Sequence, residues 1–200
     1  IIMRAAGCVI NDYFDRDFDK LVKRTADRPL ASGVVSTCEA IVILFLLLFL
    51  ALILVLMLNK EAIIIALVGV VIACIYPLAK RFTYMPQAVL GIAFSWGIPI
   101  AFVSMGKALQ PLAWYLLAAN FFWTIAYDTI YAMVDRPYDI KAGIKSSAIL
   151  FGKLDRILNS TLQIISLSIL SLVGITLNLN IWFYIGLFMA ASTIPYQFIL

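Results

Sequence analysis

The sequence predicts an all-α bundle of transmembrane helices, and three observations point to this fold class. Hydrophobic residues make up 64% of the 200 residues and charged residues only 13%, whereas a soluble domain has about 25% charged residues. The mean hydropathy is +1.03. Apolar stretches also recur at the length of about 20 residues that a helix needs to cross a bilayer.

Seven helical segments follow from these apolar stretches. The chain opens in the end of one helix at 1–16, because its first ten residues carry a single charge. The charged Asn-Lys-Glu at 59–61 separates the next two apolar runs, and Pro86 is typical of a helix start. Beyond the first, partial segment we therefore expect six helices, near 39–58, 62–79, 87–105, 112–134, 157–176 and 181–200.

The ends of the chain and its charges predict how this bundle is placed. Because the sequence starts in mid-helix and stops in an apolar run, we expect one membrane domain over 1–200 that is incomplete at both ends. Twelve of the fifteen cations lie in the connections 16–38, 80–86 and 135–156. The positive-inside rule assigns that face to the cytoplasm.

The residue inventory excludes several kinds of site. Histidine is absent and the three cysteines are isolated, with no CxxC pair, which argues against zinc, haem and iron–sulfur centres. A metal here would be a hard cation with oxygen ligands. Nothing in the sequence indicates a nucleic-acid partner or an obligate protein partner.

The stretch NDYFDRDFD at 11–19 places four carboxylates at the end of the first apolar segment. Asn11, Asp15 and Asp19 follow i, i+4, i+8 and therefore share one helical face. Two carboxylates about 5 Å apart repel by roughly 3 kcal/mol at an effective dielectric of ~20. The remaining acids Asp12 and Asp17 fit ordinary solvated charge at the membrane interface, as does Asp27.

A second acidic stripe lies in YDTIYAMVDRPYD at 127–139. Asp128, Tyr131 and Asp135 fall on one helical face, and Asp139 continues it. Pro137 disfavours helix at Arg136, so we expect the stripe to end in irregular backbone around Asp139. Two acidic stripes on the same side of the membrane predict a shared cavity for Mg²⁺ and a polyphosphate, because Mg²⁺ prefers one or two carboxylates plus phosphate oxygens.

Cations flank both stripes and suit phosphate oxygens, although each could equally be a topogenic charge. The candidate phosphate contacts are six cations and one serine, which lie in three connections: Arg24, Arg28, Lys80, Arg81, Lys141, Lys145 and Ser146. Arg4 lies within an apolar segment, where a charge suggests function; it could bind a substrate carboxylate or pair with an acid. Tyr76, one turn before Lys80, could face the site or anchor the helix at the interface.

These motifs resemble the UbiA superfamily of intramembrane prenyltransferases. NDYFDRDFD is similar to its first aspartate motif, NDxxDxxxD, and DTIYAMVDRPYD to its second, DxxYxxxDxxxD. The segments MRAAGCVINDYFDRDFDKLVKRTADRPLASG, YPLAKRFTYMPQAVLG and YAMVDRPYDIKAGIKSSAILFG resemble the bacterial members that prenylate 4-hydroxybenzoate in ubiquinone biosynthesis. The resemblance extends over essentially the whole chain.

The resemblance implies a fold of nine transmembrane helices around a central cavity, in the bacterial inner membrane with the site facing the cytoplasm. It implies Mg²⁺-dependent transfer of a polyprenyl group from polyprenyl diphosphate to the ring of 4-hydroxybenzoate, ortho to the hydroxyl. Asn11, Asp15 and Asp19 would then hold one Mg²⁺ and Asp135 with Asp139 the other, while Asp128 or Asp135 would polarise the phenol or accept the ring proton. Arg4 would bind the benzoate carboxylate, and Arg28, Lys80, Lys141 and Lys145 would stabilise charge on the leaving diphosphate.

Three other functions remain open at this stage. A superfamily member with another acceptor, such as a menaquinone precursor, homogentisate or protohaem, differs in few residues. A cation transporter would place acids near the bilayer midplane on several helices, whereas these acids lie at one face. A purely structural membrane subunit leaves the paired acidic stripes unexplained.

Overall fold

The computed structural model describes residues 1–20, 22 and 24–199, with the side chains of Lys80 and Ala142 outside the described part. Over these residues the chain is helical and no strand occurs. The ten helices are α1 (Ile2–Asp19), α2 (Pro29–Ser32), α3 (Thr37–Leu56), α4 (Lys60–Phe82), α5 (Pro86–Ser95), α6 (Gly97–Ser104), α7 (Pro111–Ala142), α8 (Ser147–Phe151), α9 (Asp155–Thr176) and α10 (Ile181–Ile199).

The helix boundaries follow from local sequence. Asn59, in the predicted break, caps α4 by accepting a hydrogen bond from the backbone N–H of Ala62 at 2.9 Å. Ser36 and Glu39 form a capping box at the start of α3. Gly143 ends α7 in the left-handed region at φ 69°, a conformation that costs glycine little.

Two sequence predictions about the helices are wrong in detail. The helix expected at 87–105 is divided into α5 and α6 at Trp96, because Pro99 has no N–H to donate to the carbonyl of Ser95. The irregular backbone expected around Asp139 is helical, and α7 continues through Pro137 to Ala142. Packing of α7 against α9 and the ion pair between Arg136 and Asp155 hold this end in helical form.

The surface and interior of the bundle have the character expected in lipid. Large apolar side chains such as Phe45, Phe49 and Leu54 are exposed, whereas the fully buried positions are small or polar, including Thr129, Ser147 and Ser166. Small residues let membrane helices approach closely. Four stretches are long and apolar enough to cross a membrane: Thr37–Leu56, Lys60–Ala79, Pro86–Ser104 and Ser147–Thr176. The chain is an integral membrane protein.

Helix packing brings the two acidic stripes into one region. α1 packs against α3 and α4, α4 against α5 and α6, and α7 against both α5 and α9, while α10 covers α9. At the crossing of α5 and α7, a Cβ on Gly91 would lie 2.9 Å from the Phe121 ring and 3.1 Å from its carbonyl oxygen. This close approach holds α5 tightly against α7.

Candidate active site

The two acidic stripes line the same cavity, as the sequence predicts. The cavity has a volume of about 180 Å³ and lies among α1, α4, the start of α5, α7 and the connections that follow α1 and α7. Twelve of the residues predicted for the site line it: Asn11, Asp15, Asp19, Arg24, Arg28, Tyr76, Asp128, Tyr131, Asp135, Asp139, Lys145 and Ser146.

The α1 side of the cavity presents deeply buried acids. Asp15 is 4% exposed and Asp19 is 7% exposed. Burial raises the pKa of the Asp19 carboxyl above its ordinary value, and the Arg28 charge and a Thr25 hydrogen bond oppose that rise. The ionised form of this buried carboxyl therefore depends on nearby positive charge.

Arg28, in the connection after α1, pairs with two acids of α1. Its Nη1 donates to an oxygen of Asp12 at 2.8 Å and of Asp19 at 3.0 Å. Asp12 is therefore a paired residue and not the simple solvated charge that the sequence suggested. Asp17 fits that expectation, since its side chain is 73% exposed and lies 3.4 Å from Lys20.

The connection after α1 also supplies a cation to the α7 side. The guanidinium of Arg24 pairs with Asp135, with its Nε donating to Oδ1 at 3.0 Å. The Arg24 guanidinium carbon also lies 5.7 Å from the centre of the Tyr131 ring. The Tyr131 hydroxyl is 3.1 Å from that of Tyr127. The segment after α1 thus supplies one arginine to each acidic stripe.

Three residues predicted for the site do not line the cavity, and a fourth has no described side chain. Arg4 is exposed on α1, two turns before Asn11. Lys141 is exposed near the end of α7. Arg81 is exposed too, with its Nη2 3.5 Å from the Phe14 carbonyl oxygen. The side chain of Lys80 lies outside the described residues. Helical spacing indicates only a shared face, and the extent of the cavity along that face depends on tertiary packing.

The donor atoms of the cavity fit Mg²⁺. The Oδ1 atom of Asn11 is buried and, among the described residues, has no hydrogen-bond partner, so an amide oxygen is available for a cation. Over that same part of the chain, no three acids or cysteines stand close enough to hold a metal by themselves. Such a site suits an ion that takes few carboxylates and completes its shell with phosphate oxygens and water.

Sequence reasoning missed several residues that shape the cavity. Gln87 lines it and is only 4% exposed. Its Oε1 accepts the backbone N–H of Ser147 at 3.0 Å. Thr25 donates from its hydroxyl to the backbone oxygen of Asp19 at 3.1 Å. A glutamine at the start of an apolar helix was the available signal for Gln87, whereas Thr25 gave none.

Comparison with known proteins gives a consistent picture. The model of the UbiA prenyltransferase family matches residues 1–200. The 4-hydroxybenzoate octaprenyltransferase of Pseudomonas entomophila (strain L48) is 50% identical over 198 residues, which are 99% of this chain and 67% of that protein.

Solved structures share the fold. The apo structure of a UbiA homolog from Aeropyrum pernix K1 has a TM-score of 0.87 at 26% identity, covering 98% of this chain and 75% of that one. A UbiA homolog from Archaeoglobus fulgidus bound to GPP and Mg²⁺ has a TM-score of 0.71 at 22% identity, covering 99% and 71%. Since the family match spans every residue of a chain with this cavity, the chain belongs to the UbiA prenyltransferase family.

Proposed function

We propose that this chain is the prenyl-transfer domain, over 1–200, of an enzyme that moves a polyprenyl group from polyprenyl diphosphate to 4-hydroxybenzoate. The observation that carries the proposal is the shared cavity, which the two acidic stripes line together with Arg24 and Arg28. A site for an anion alone would not need the acids, and a site for a metal alone would not need the arginines. The name of the Pseudomonas relative supports 4-hydroxybenzoate as the acceptor.

Mg²⁺ would be held at two positions, one ion by Asn11, Asp15 and Asp19 on α1 and another by Asp135 and Asp139 on α7. When bound, it would offset the negative charge of the diphosphate. A homolog of the same fold from Archaeoglobus fulgidus is bound to GPP and Mg²⁺, which supports a magnesium and diphosphate ligand here but names no residue. Arg24 and Arg28 already reach these carboxylates, so they would contact the phosphate oxygens as the donor enters.

The remaining residues would orient the two substrates. Lys80, Lys141, Lys145 and Arg81 would add positive charge around the leaving group. As the bond between the allylic carbon and the diphosphate oxygen breaks, its electron pair leaves with the diphosphate. The ring carbon ortho to the phenol then forms the new carbon–carbon bond, and its proton passes to the carboxylate of Asp128 or Asp135, which both line the cavity. Asp128 would hold the phenol hydroxyl of 4-hydroxybenzoate, and Arg4 would hold the carboxylate of the same substrate.

The apolar bundle would serve the isoprenoid. A long isoprenoid tail partitions into lipid. The exposed apolar side chains of the helices described above would contact both the lipid and this tail. We place the protein in the bacterial inner membrane with the cavity facing the cytoplasm, because most of the cations lie on that face. A polyprenyl diphosphate donor and an aromatic acceptor can then meet at the interface.

The test is product identification with the full-length protein in membranes. Geranyl diphosphate or a longer donor is supplied with Mg²⁺ and a panel of acceptors that includes 4-hydroxybenzoate, homogentisate and protohaem. We expect 3-prenyl-4-hydroxybenzoate, identified by mass and by the ring proton pattern in NMR. Product with another acceptor only would overturn the proposed substrate, and absence of any prenylated product would overturn the proposed activity.

A further inference from the structure

Three polar side chains from different elements meet beside the cavity, which one of them, Gln87, also lines. The Thr129 hydroxyl on α7 is hydrogen-bonded to the Ser147 hydroxyl at 2.7 Å, and neither residue has exposed surface. The Oε1 atom of Gln87, at the start of α5, accepts the backbone N–H of Ser147 at 3.0 Å. We call Thr129, Ser147 and Gln87 the clamp. Buried hydrogen bonds of this kind fix position because their loss would leave unpaired polar atoms.

The contacts of the clamp bear on Ser146, the residue directly before Ser147. This serine lines the cavity and is 3% exposed. Its Oγ atom is buried and has no hydrogen-bond partner among the described residues. Buried hydroxyls are nearly always hydrogen-bonded, so an orphan one beside a cavity points to a ligand atom as the partner.

The geometry links the clamp to the direction of that hydroxyl. The N–H that Gln87 binds belongs to the peptide unit between Ser146 and Ser147, and this unit is planar. Gln87 on α5 holds this peptide unit, and Thr129 on α7 holds the Ser147 side chain. Together they fix the backbone position of Ser146. Thr129 does not line the cavity, and its hydroxyl meets that of Ser147, so it acts on a ligand only indirectly.

We propose that the clamp is a positioning device that aims the Ser146 hydroxyl at a phosphoryl oxygen of the bound prenyl diphosphate. The inference rests on the proposed function, because it takes the cavity as the diphosphate site. Lys145, Arg24 and Arg28 line the same cavity, and their charge favours an anion there. A serine hydroxyl donates readily to a phosphate oxygen, and such charge-assisted bonds are stronger than neutral ones.

The test is binding of geranyl diphosphate with Mg²⁺ to the full-length protein, measured by titration calorimetry without acceptor. Ser146→Ala should weaken binding about tenfold or more, as loss of one hydrogen bond to a charged group does. Thr129→Val, which removes the hydroxyl and keeps the shape, should weaken it to a similar extent. The double variant should bind no worse than Ser146→Ala, because the two changes remove one interaction. Thr129→Ser, which keeps the hydroxyl, should bind geranyl diphosphate as the wild type does.

The matched control is Ser166→Ala. Ser166 is equally buried and donates from α9 to the backbone oxygen of Ala119 on α7 at 2.7 Å, away from the cavity. This variant should lower the Tm as much as Thr129→Val while leaving the affinity within about twofold of wild type. Two results would overturn the clamp: additive losses in the double variant, or a Thr129→Val affinity equal to that of Ser166→Ala. Failure of the wild type to bind geranyl diphosphate would instead overturn the proposed function.

Discussion

Replacing Arg28 with glutamine should make the protein more dependent on Mg²⁺ for its stability. Arg28 holds an Asp12 oxygen and an Asp19 oxygen at 2.8 and 3.0 Å from one nitrogen. The two oxygens are therefore less than about 6 Å apart, and at an effective dielectric of ~20 their repulsion is about 3 kcal/mol. Arg28→Gln removes the cation that offsets this repulsion and keeps a side chain of similar length.

The expected result is a larger Mg²⁺-dependent rise in Tm in the variant than in the wild type. If Mg²⁺ relieves about half of the repulsion, the extra stabilisation is about 1–2 kcal/mol, or roughly 3–6 °C for a chain of this size. The assay is thermal unfolding followed by tryptophan fluorescence in detergent, with and without Mg²⁺ at matched ionic strength. Lys107→Gln is the control, because it removes the same charge from an exposed position on the opposite connection.

One result would refute the reasoning. If Mg²⁺ raises the Tm of Arg28→Gln, Lys107→Gln and wild type equally, then the acids around Arg28 do not receive the cation. Their ion pairs would then be structural, and the magnesium assignment on α1 would be wrong.

Three further predictions follow from the other contacts. Arg24→Gln should raise the KM for polyprenyl diphosphate about tenfold in initial-rate assays and leave the KM for the acceptor unchanged, because it removes a charge-assisted contact from Asp135 and from the donor. Asp155→Asn should lower the Tm by breaking the partly buried pair with Arg136, and a variant that exchanges Arg136 and Asp155 should recover part of the loss. Arg4→Gln should raise the KM for 4-hydroxybenzoate with little change in the KM for the donor; a shared rise in both would remove Arg4 from acceptor binding.

The acidic stripes were predictable because helical periodicity decides which side chains share a face. Asn11, Asp15 and Asp19 needed only i, i+4 spacing, and Asp128, Tyr131 and Asp135 needed only a helix up to Asp135. The stripes are separated by more than a hundred residues, and their meeting in one cavity was an expectation from their common side of the membrane. The structure confirms it.

Other features depended on tertiary packing and were not predictable. Local sequence disfavoured helix at Arg136 before Pro137, yet α9 stabilises the helix there. The partners of Arg24 and Arg28 depend on the path of the connection after α1. Gln87 reaches Ser147 across 60 residues, so neither residue carries a local signal of the clamp.

The most direct measurement of the central idea is Mg²⁺-dependent prenylation of 4-hydroxybenzoate by Asp15→Asn and Asp135→Asn, with and without EDTA. Asp17→Asn is the matched control, since it removes the same charge from an exposed position on α1. We predict that EDTA abolishes product in the wild type, that both site variants lose at least about a hundredfold in rate, and that the control retains it. Turnover indifferent to either Asp15→Asn or Asp135→Asn would contradict a cavity in which two carboxylate stripes act together.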